Sequence, residues 1–155
     1  MSEANEVRSV VITRVFDAPI ELVYRTWTEA EHVTKWMKCD AQAKLEVKNW
    51  VPVVGGTFES VMELEGVFRA CSTGRFLEVD PPRLLSYCTE PDPQLGTPEL
   101  TVRVELAEVP GGTRVTLTHT GMPGDDLCGI IEAGWTASLG ALGELLASYD
   151  SSGVN

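Results

Sequence analysis

The sequence predicts an α+β domain: a curved antiparallel sheet, two short N-terminal helices and one long C-terminal helix packed across the sheet. Three observations predict it. A β-branched run from Val7 to Phe16 stops at Asp17 and gives way to apolar residues at helical spacing. The middle of the chain alternates apolar with polar residues and is punctuated by Gly and Pro. The C-terminal part carries apolar residues spaced by three or four. Runs of strands with segregated helices are the mark of an α+β domain.

Each element follows from local chemistry. Val7 to Phe16 reads as the first strand. Pro19 fits the first position of a helix, where its missing N–H has no partner in any case. Ile20, Val23, Tyr24 and Trp27 form that helix's apolar face. Thr28 and Glu31 have the spacing of a capping box, which predicts a second helix to about Trp36 and Met37. Leu45 to Val47 reads as a short strand, and Trp50 to Gly56 as a turn region. From Thr57, Phe58, Ser60, Met62 and Leu64 share one face, and Glu59, Glu63 and Glu65 lie on the other. Gly66 turns the chain into a strand over Val67 to Val79, which Asp80-Pro81-Pro82 ends. Leu84 to Thr89 is the next strand, and Pro91 to Pro98 a loop. Leu100 to Leu106 alternates, Pro110-Gly111-Gly112 turns, and Val115, Leu117 and His119 alternate again. Gly121 to Gly124 closes the sheet, and Asp125 or Asp126 caps a helix running from about Asp126 to Tyr149. Its stripe is Leu127, Ile131, Trp135, Leu139, Leu142, Leu146 and Tyr149. At about 35 Å it is long enough to cross a small sheet. Gly129, Gly134, Gly140 and Gly143 interrupt it, each costing about 0.8–1 kcal/mol against alanine, so close approach to the sheet or room for a ligand is expected to offset them.

A chain of 155 residues is expected to form one domain over 1–155, with an ordered core of about 7–149. Such a domain buries roughly 70% of its unfolded surface and needs no staple. The net charge is −11, from 23 acidic and 12 basic residues, which disfavours nucleic acid and anionic lipid surfaces. No run approaches the ~20 apolar residues of a membrane span, and the polar, acidic N-terminus does not read as a signal peptide. A cytoplasmic location is expected. Cys39, Cys71, Cys88 and Cys128 are widely separated and are expected to be small buried residues. Their spacing argues against a metal site, and no cofactor motif is present.

Several segments, in order, carry a resemblance. The strand–helix–helix opening over Thr13 to Met37 is followed by Gly55-Gly56-Thr57-Phe58, then Val79-Asp80-Pro81-Pro82-Arg83-Leu84-Leu85. Gly111-Gly112-Thr113-Arg114-Val115, Thr118-His119 and Gly134-Trp135 come next. This order resembles the bacterial single-domain homologues of the heat-shock-protein ATPase activator, within the START-like (SRPBCC, helix-grip) superfamily. The resemblance implies a helix-grip fold that commonly encloses an apolar ligand, with roles in stress response or resistance. Trp36-Met37 departs from the family's frequent pair of adjacent tryptophans. At 155 residues the chain is expected to be too short for the added chaperone-binding domain of eukaryotic relatives, so a chaperone partner rests on the family name alone.

The expected function is binding of a hydrophobic small molecule, such as a lipid, polyketide or aromatic compound. The expected lining is Trp36, Met37, Phe58, Met62, Phe68, Tyr87, His119, Trp135 and Leu139, apolar with few polar anchors. His119 shares strand parity with Val115 and Leu117, so it should point inward, where it could serve as hydrogen-bond partner or as acid or base. With Tyr87 it is the basis of an alternative reading, a polyketide cyclase or aromatase-like enzyme. His32, beside Glu31, is expected to be solvated. No hydrolase, protease or phosphate-binding motif is present.

Overall fold

The computed structural model describes residues 8–92 and 97–149. Val7, the two chain ends of the expected domain and residues 93–96 of the expected loop lie outside the described residues. Strand β1 (Arg8–Phe16) leads into helices α1 (Ile20–Thr28) and α2 (Ala30–Trp36). Strands β2 (Lys44–Trp50), β3 (Thr57–Leu64), β4 (Phe68–Asp80), β5 (Leu84–Thr89), β6 (Leu100–Val109) and β7 (Gly112–Met122) follow, and α3 (Asp125–Ser148) closes the chain. The sheet is seven-stranded, antiparallel throughout, in the order β1-β7-β6-β5-β4-β3-β2. This is the α+β helix-grip architecture expected from the sequence.

Register aligns the interior in rows. Val10, His119, Val102, Tyr87 and Phe76 are successive cross-strand partners, and Ile12, Leu117, Val104, Leu85 and Val79 form the next row. All but Val79 are buried. The polar parity faces outward, as Thr101, Arg103, Thr118 and Thr120 show. At Gly74 the chain comes so close that a Cβ would lie 2.6 Å from the Phe58 ring. The Cys88 carbonyl oxygen would be closer still, so only glycine fits between strand β5 and the Phe58 ring. Gly111 at φ +93° makes the β6–β7 turn that few other residues would accept.

Several local expectations are corrected. Pro19 is the N-cap of α1, one place before the helix. The capping box at Thr28 and Glu31 does not form: Glu29 is the N-cap of α2, and Thr28 closes α1 with its hydroxyl donating to the Tyr24 carbonyl at 3.1 Å. The back-bond within its own helix wins over the cap. Strand β2 extends over the segment expected to turn at Trp50. Gly124, not Asp125 or Asp126, is the N-cap of α3, and Asp125 instead pairs with Arg8 at 2.9 Å. Cys88 alone of the cysteines is buried; Cys39 and Cys71 are exposed and Cys128 is partly buried.

Two indoles finish α1. Its last carbonyls have no intrahelical donor. Trp36 Nε1 donates to the Thr26 carbonyl and Trp50 Nε1 to the Thr28 carbonyl, both at 2.8 Å. This places both rings under the helix pair and explains why Trp50 belongs to a strand. Trp36→Phe should keep the packing but orphan a buried carbonyl, at a cost of about 1–3 kcal/mol read from urea denaturation; an unchanged midpoint would refute the capping role.

The helix glycines do not mark close approach to the sheet. A Cβ at Gly129 or Gly140 would meet nothing within 4 Å, and at Gly143 only the Phe16 ring at 3.7 Å. Gly134 faces Cys39, where a Cβ would sit at an ordinary 3.5 Å. Gly129→Ala and Gly140→Ala should therefore each stabilise the protein by about 0.8–1 kcal/mol, raising Tm by roughly 2–4 °C in a thermal melt. Destabilisation by either would contradict the open surroundings.

Candidate functional site

The interior between sheet and helices is built from two aromatic clusters. In the first, Trp27 packs edge-on to Trp36 at 4.5 Å and stacks on Trp135 at 5.8 Å between ring centroids. In the second, Phe58 and Phe76 contact each other and both meet Trp50 and Tyr87. His119 joins the first cluster, its ring 6.1 Å from Trp135. Alternation along β7 and the register with Val102 bring it there.

Trp135 Nε1 donates to His119 Nδ1 at 2.8 Å. An indole nitrogen can only donate, so Nδ1 must be the acceptor and the imidazole proton sits on Nε2. Burial acts in the same direction, pushing the His119 pKa down to about 4. The group is therefore a neutral N–H donor at physiological pH. It can polarise an oxygen in its reach, whereas its basic nitrogen is occupied. Burial also raises the Tyr87 phenol far above its usual range, so it stays protonated. These two residues suit hydrogen bonding to a ligand better than proton abstraction.

The nine expected lining residues fall into two groups. Trp36, Phe58, Tyr87, His119 and Leu139 are buried, with Met37 and Trp135 partly buried against the same core. Met62 and Phe68 are also partly buried but lie outside that core, on the inner face of β3 and β4. The loop after α2 bridges the two regions. Cys39 Sγ–H reaches Met62 Sδ at 3.5 Å, and Ser138 donates to the Lys38 carbonyl at 2.8 Å.

The grip of α3 is uneven. Leu139, Leu142 and Leu146 in its C-terminal half are fully buried. Leu127, Cys128, Ile131 and Trp135 in its N-terminal half pack on the core but remain partly exposed. The N-terminal half of α3 is thus less completely covered than the C-terminal half, and its middle meets the loop after α2 through Lys38 and Cys39. Two surface clefts, of about 500 and about 410 Å³, lie elsewhere, and neither has a predicted lining residue in its wall. The first is walled mostly by apolar residues, among them Ile20, Leu22, Val109 and Leu146, together with Asp17 and Glu108; the second carries Arg83, Arg103, Arg114 and Glu105. Neither wall holds a buried polar side chain, whereas the interior holds His119.

His32 was missed by the sequence reading. It is buried, not solvated, at 6% exposure. Its Nδ1 lies 2.8 Å from the Tyr149 hydroxyl and its Nε2 3.1 Å from Glu29. Tyr149 donating to Nδ1 and Nε2 donating to Glu29 satisfies both nitrogens. Helical spacing placed His32 one residue before Val33 on a short helix; only the arrival of Tyr149 at the far end of the chain covers it. Glu29, Glu31 and His32 also bring ligand atoms within 4.8 Å of one another. Both His32 nitrogens are already engaged there. No helix among the described residues is long and apolar enough to cross a membrane.

Known structures share this fold. Residues 17–147 match the family described as Activator of Hsp90 ATPase homolog 1-like protein. The crystal structure of protein CV1439 from Chromobacterium violaceum is similar at TM-score 0.80 and 23% identity, covering 89% of this chain and 96% of that one. Protein NE0264 from Nitrosomonas europaea gives TM-score 0.75 and 25% identity, covering 90% and 94%. A solution structure of an AHSA1-like protein from Aeromonas hydrophila gives 0.74 and 24%, covering 88% and 90%. No curated protein matches the chain.

The acid response of His119 follows from its burial. A folded pKa of about 4 against an ordinary 6.5 means that the unfolded chain binds the proton first. Stability from this group is complete above pH 6.5 and is lost as pH falls towards 4. Between pH 7.5 and pH 5 the loss should be about 2 kcal/mol. Equilibrium denaturation at both values should show this loss in the wild type and a smaller one in His119→Gln, whose amide can still accept from Trp135. Equal losses in both proteins would show that His119 is not the source.

Proposed function

We propose the following reading for this chain, which belongs to the Activator of Hsp90 ATPase homolog 1-like family: it binds a hydrophobic small molecule between the sheet and the N-terminal half of α3. The observation that carries this is the unequal burial along one apolar stripe. Leu139, Leu142 and Leu146 are sealed while Leu127, Ile131 and Trp135 are left partly open above the same sheet. Burying apolar area is favourable by about 25 cal/mol per Å², so leaving half a stripe open forgoes stability that a ligand could restore. The partly buried Met37 and Met62 would border the entrance, and sulfur-bearing side chains adapt to varied shapes. Trp36, Phe58, Tyr87, Trp135 and Leu139 would form the inner wall, with His119 as its polar anchor; Phe68 lies farther out along β4. Small-molecule sites are mostly apolar with a few placed polar groups, which this arrangement matches.

Thermal melts with a panel of lipids, polyketides and aromatic compounds test the reading. A ligand present at 100 times its Kd should add about 2.7 kcal/mol, a rise in Tm of several degrees. Ile131→Arg, in the less buried half of the stripe, should weaken ligand affinity at least tenfold, which lowers the stabilisation at the same concentration to about 1.4 kcal/mol or less, with only a small change in the unliganded melt. A panel that leaves Tm unmoved throughout would reject the proposal.

A further inference from the structure

Among the described residues, two buried side-chain polar atoms have no hydrogen-bond partner: Trp27 Nε1 and His119 Nε2. Their side chains are 0% and 7% exposed. Both rings neighbour Trp135, at 5.8 and 6.1 Å between centroids. Both atoms are donors. An indole nitrogen has no acceptor capacity, and the bond from Trp135 to His119 Nδ1 leaves the imidazole proton on Nε2. A buried donor left unpaired costs about 1–3 kcal/mol, and native interiors contain few. Two such donors beside one partly buried ring define a demand of one sign: an acceptor.

We infer that the interior takes a neutral, largely apolar molecule bearing a carbonyl oxygen, which accepts from His119 Nε2–H and Trp27 Nε1–H. This rests on the ligand-binding reading above and adds the chemical class of the ligand. A carboxylate is disfavoured because an ion in a dry interior requires a paired opposite charge, and the buried polar residues are Thr26, His32, Ser86, Thr113, His119 and Ser138, with no Lys or Arg. An ammonium would meet the positive ends of two N–H dipoles. A pure hydrocarbon would leave both donors unpaired. Neither nitrogen touches solvent, so an oxygen reaches them only when a neighbour yields. Trp135 stays bonded to His119 Nδ1 and so keeps the proton on Nε2; the neighbour that yields is one that leaves this bond in place.

Matched pairs that differ only by C=O against CH₂ test this: benzophenone with diphenylmethane, and 9-fluorenone with fluorene. Calorimetry should show each ketone binding at least tenfold more tightly than its hydrocarbon, and Trp27→Phe and His119→Phe should each shrink that ratio. His119→Phe also removes the acceptor of Trp135 and so could unfold the protein. Trp27→Phe and the indole ¹H–¹⁵N resonance of Trp27, which should move downfield with ketone and not with hydrocarbon, do not depend on it. Equal affinities within the pairs, or ketones that fail while other apolar compounds raise Tm, would overturn the carbonyl assignment and leave the container reading standing. No binding by any compound would overturn both.

Discussion

A dry interior imposes one constraint on which much of this fold turns: each N–H enclosed there needs an oxygen or nitrogen to receive it. Three of the four tryptophans meet it in ways that also position chain segments. Trp36 and Trp50 donate to carbonyls at the end of α1, which holds the helix pair against β2 at the sheet edge. Trp135 donates to His119, which ties α3 to β7 near the helix's middle. Trp27 is enclosed on all sides and receives no acceptor. The polar bonds thus fix where the aromatic rings sit, and the rings determine how much room remains.

The architecture was legible in the sequence because its signals are local. Alternation over β3, β6 and β7, the Asp80-Pro81-Pro82 break and the turn at Gly111-Gly112 all appear at the expected places. The inward direction of His119 followed from parity alone. Features set by distant segments were not legible. Thr28 and Glu31 have the letters of a cap, but whether Thr28 turns back into α1 depends on how the chain enters α2. Trp50 looked like part of a turn because its partner, the Thr28 carbonyl, is 22 residues away. His32 looked solvated because Tyr149, 117 residues later, provides its cover. The glycines of α3 showed a helix weakened at intervals, but not which side of it was open.

The make-up of the interior was legible to a similar degree. Strand parity and helical spacing brought Trp36, Phe58, Tyr87, His119, Trp135 and Leu139 to one interior. They could not show that Met62 and Phe68 stand apart from it, because sheet curvature decides which part of a concave face a single helix can cover. They also could not show the Trp135–His119 bond, which fixes the tautomer and turns an apparent acid–base candidate into a donor.

Three indoles held within 4.5 and 5.8 Å of their neighbours also have an optical consequence. At such separations excitation passes readily between like chromophores and collects on the one of lowest energy. The partly exposed Trp135 has the most polar surroundings of the three, so the emission of this trio is weighted towards that single residue. The molecule therefore carries its own spectroscopic gauge at the partly exposed middle of α3.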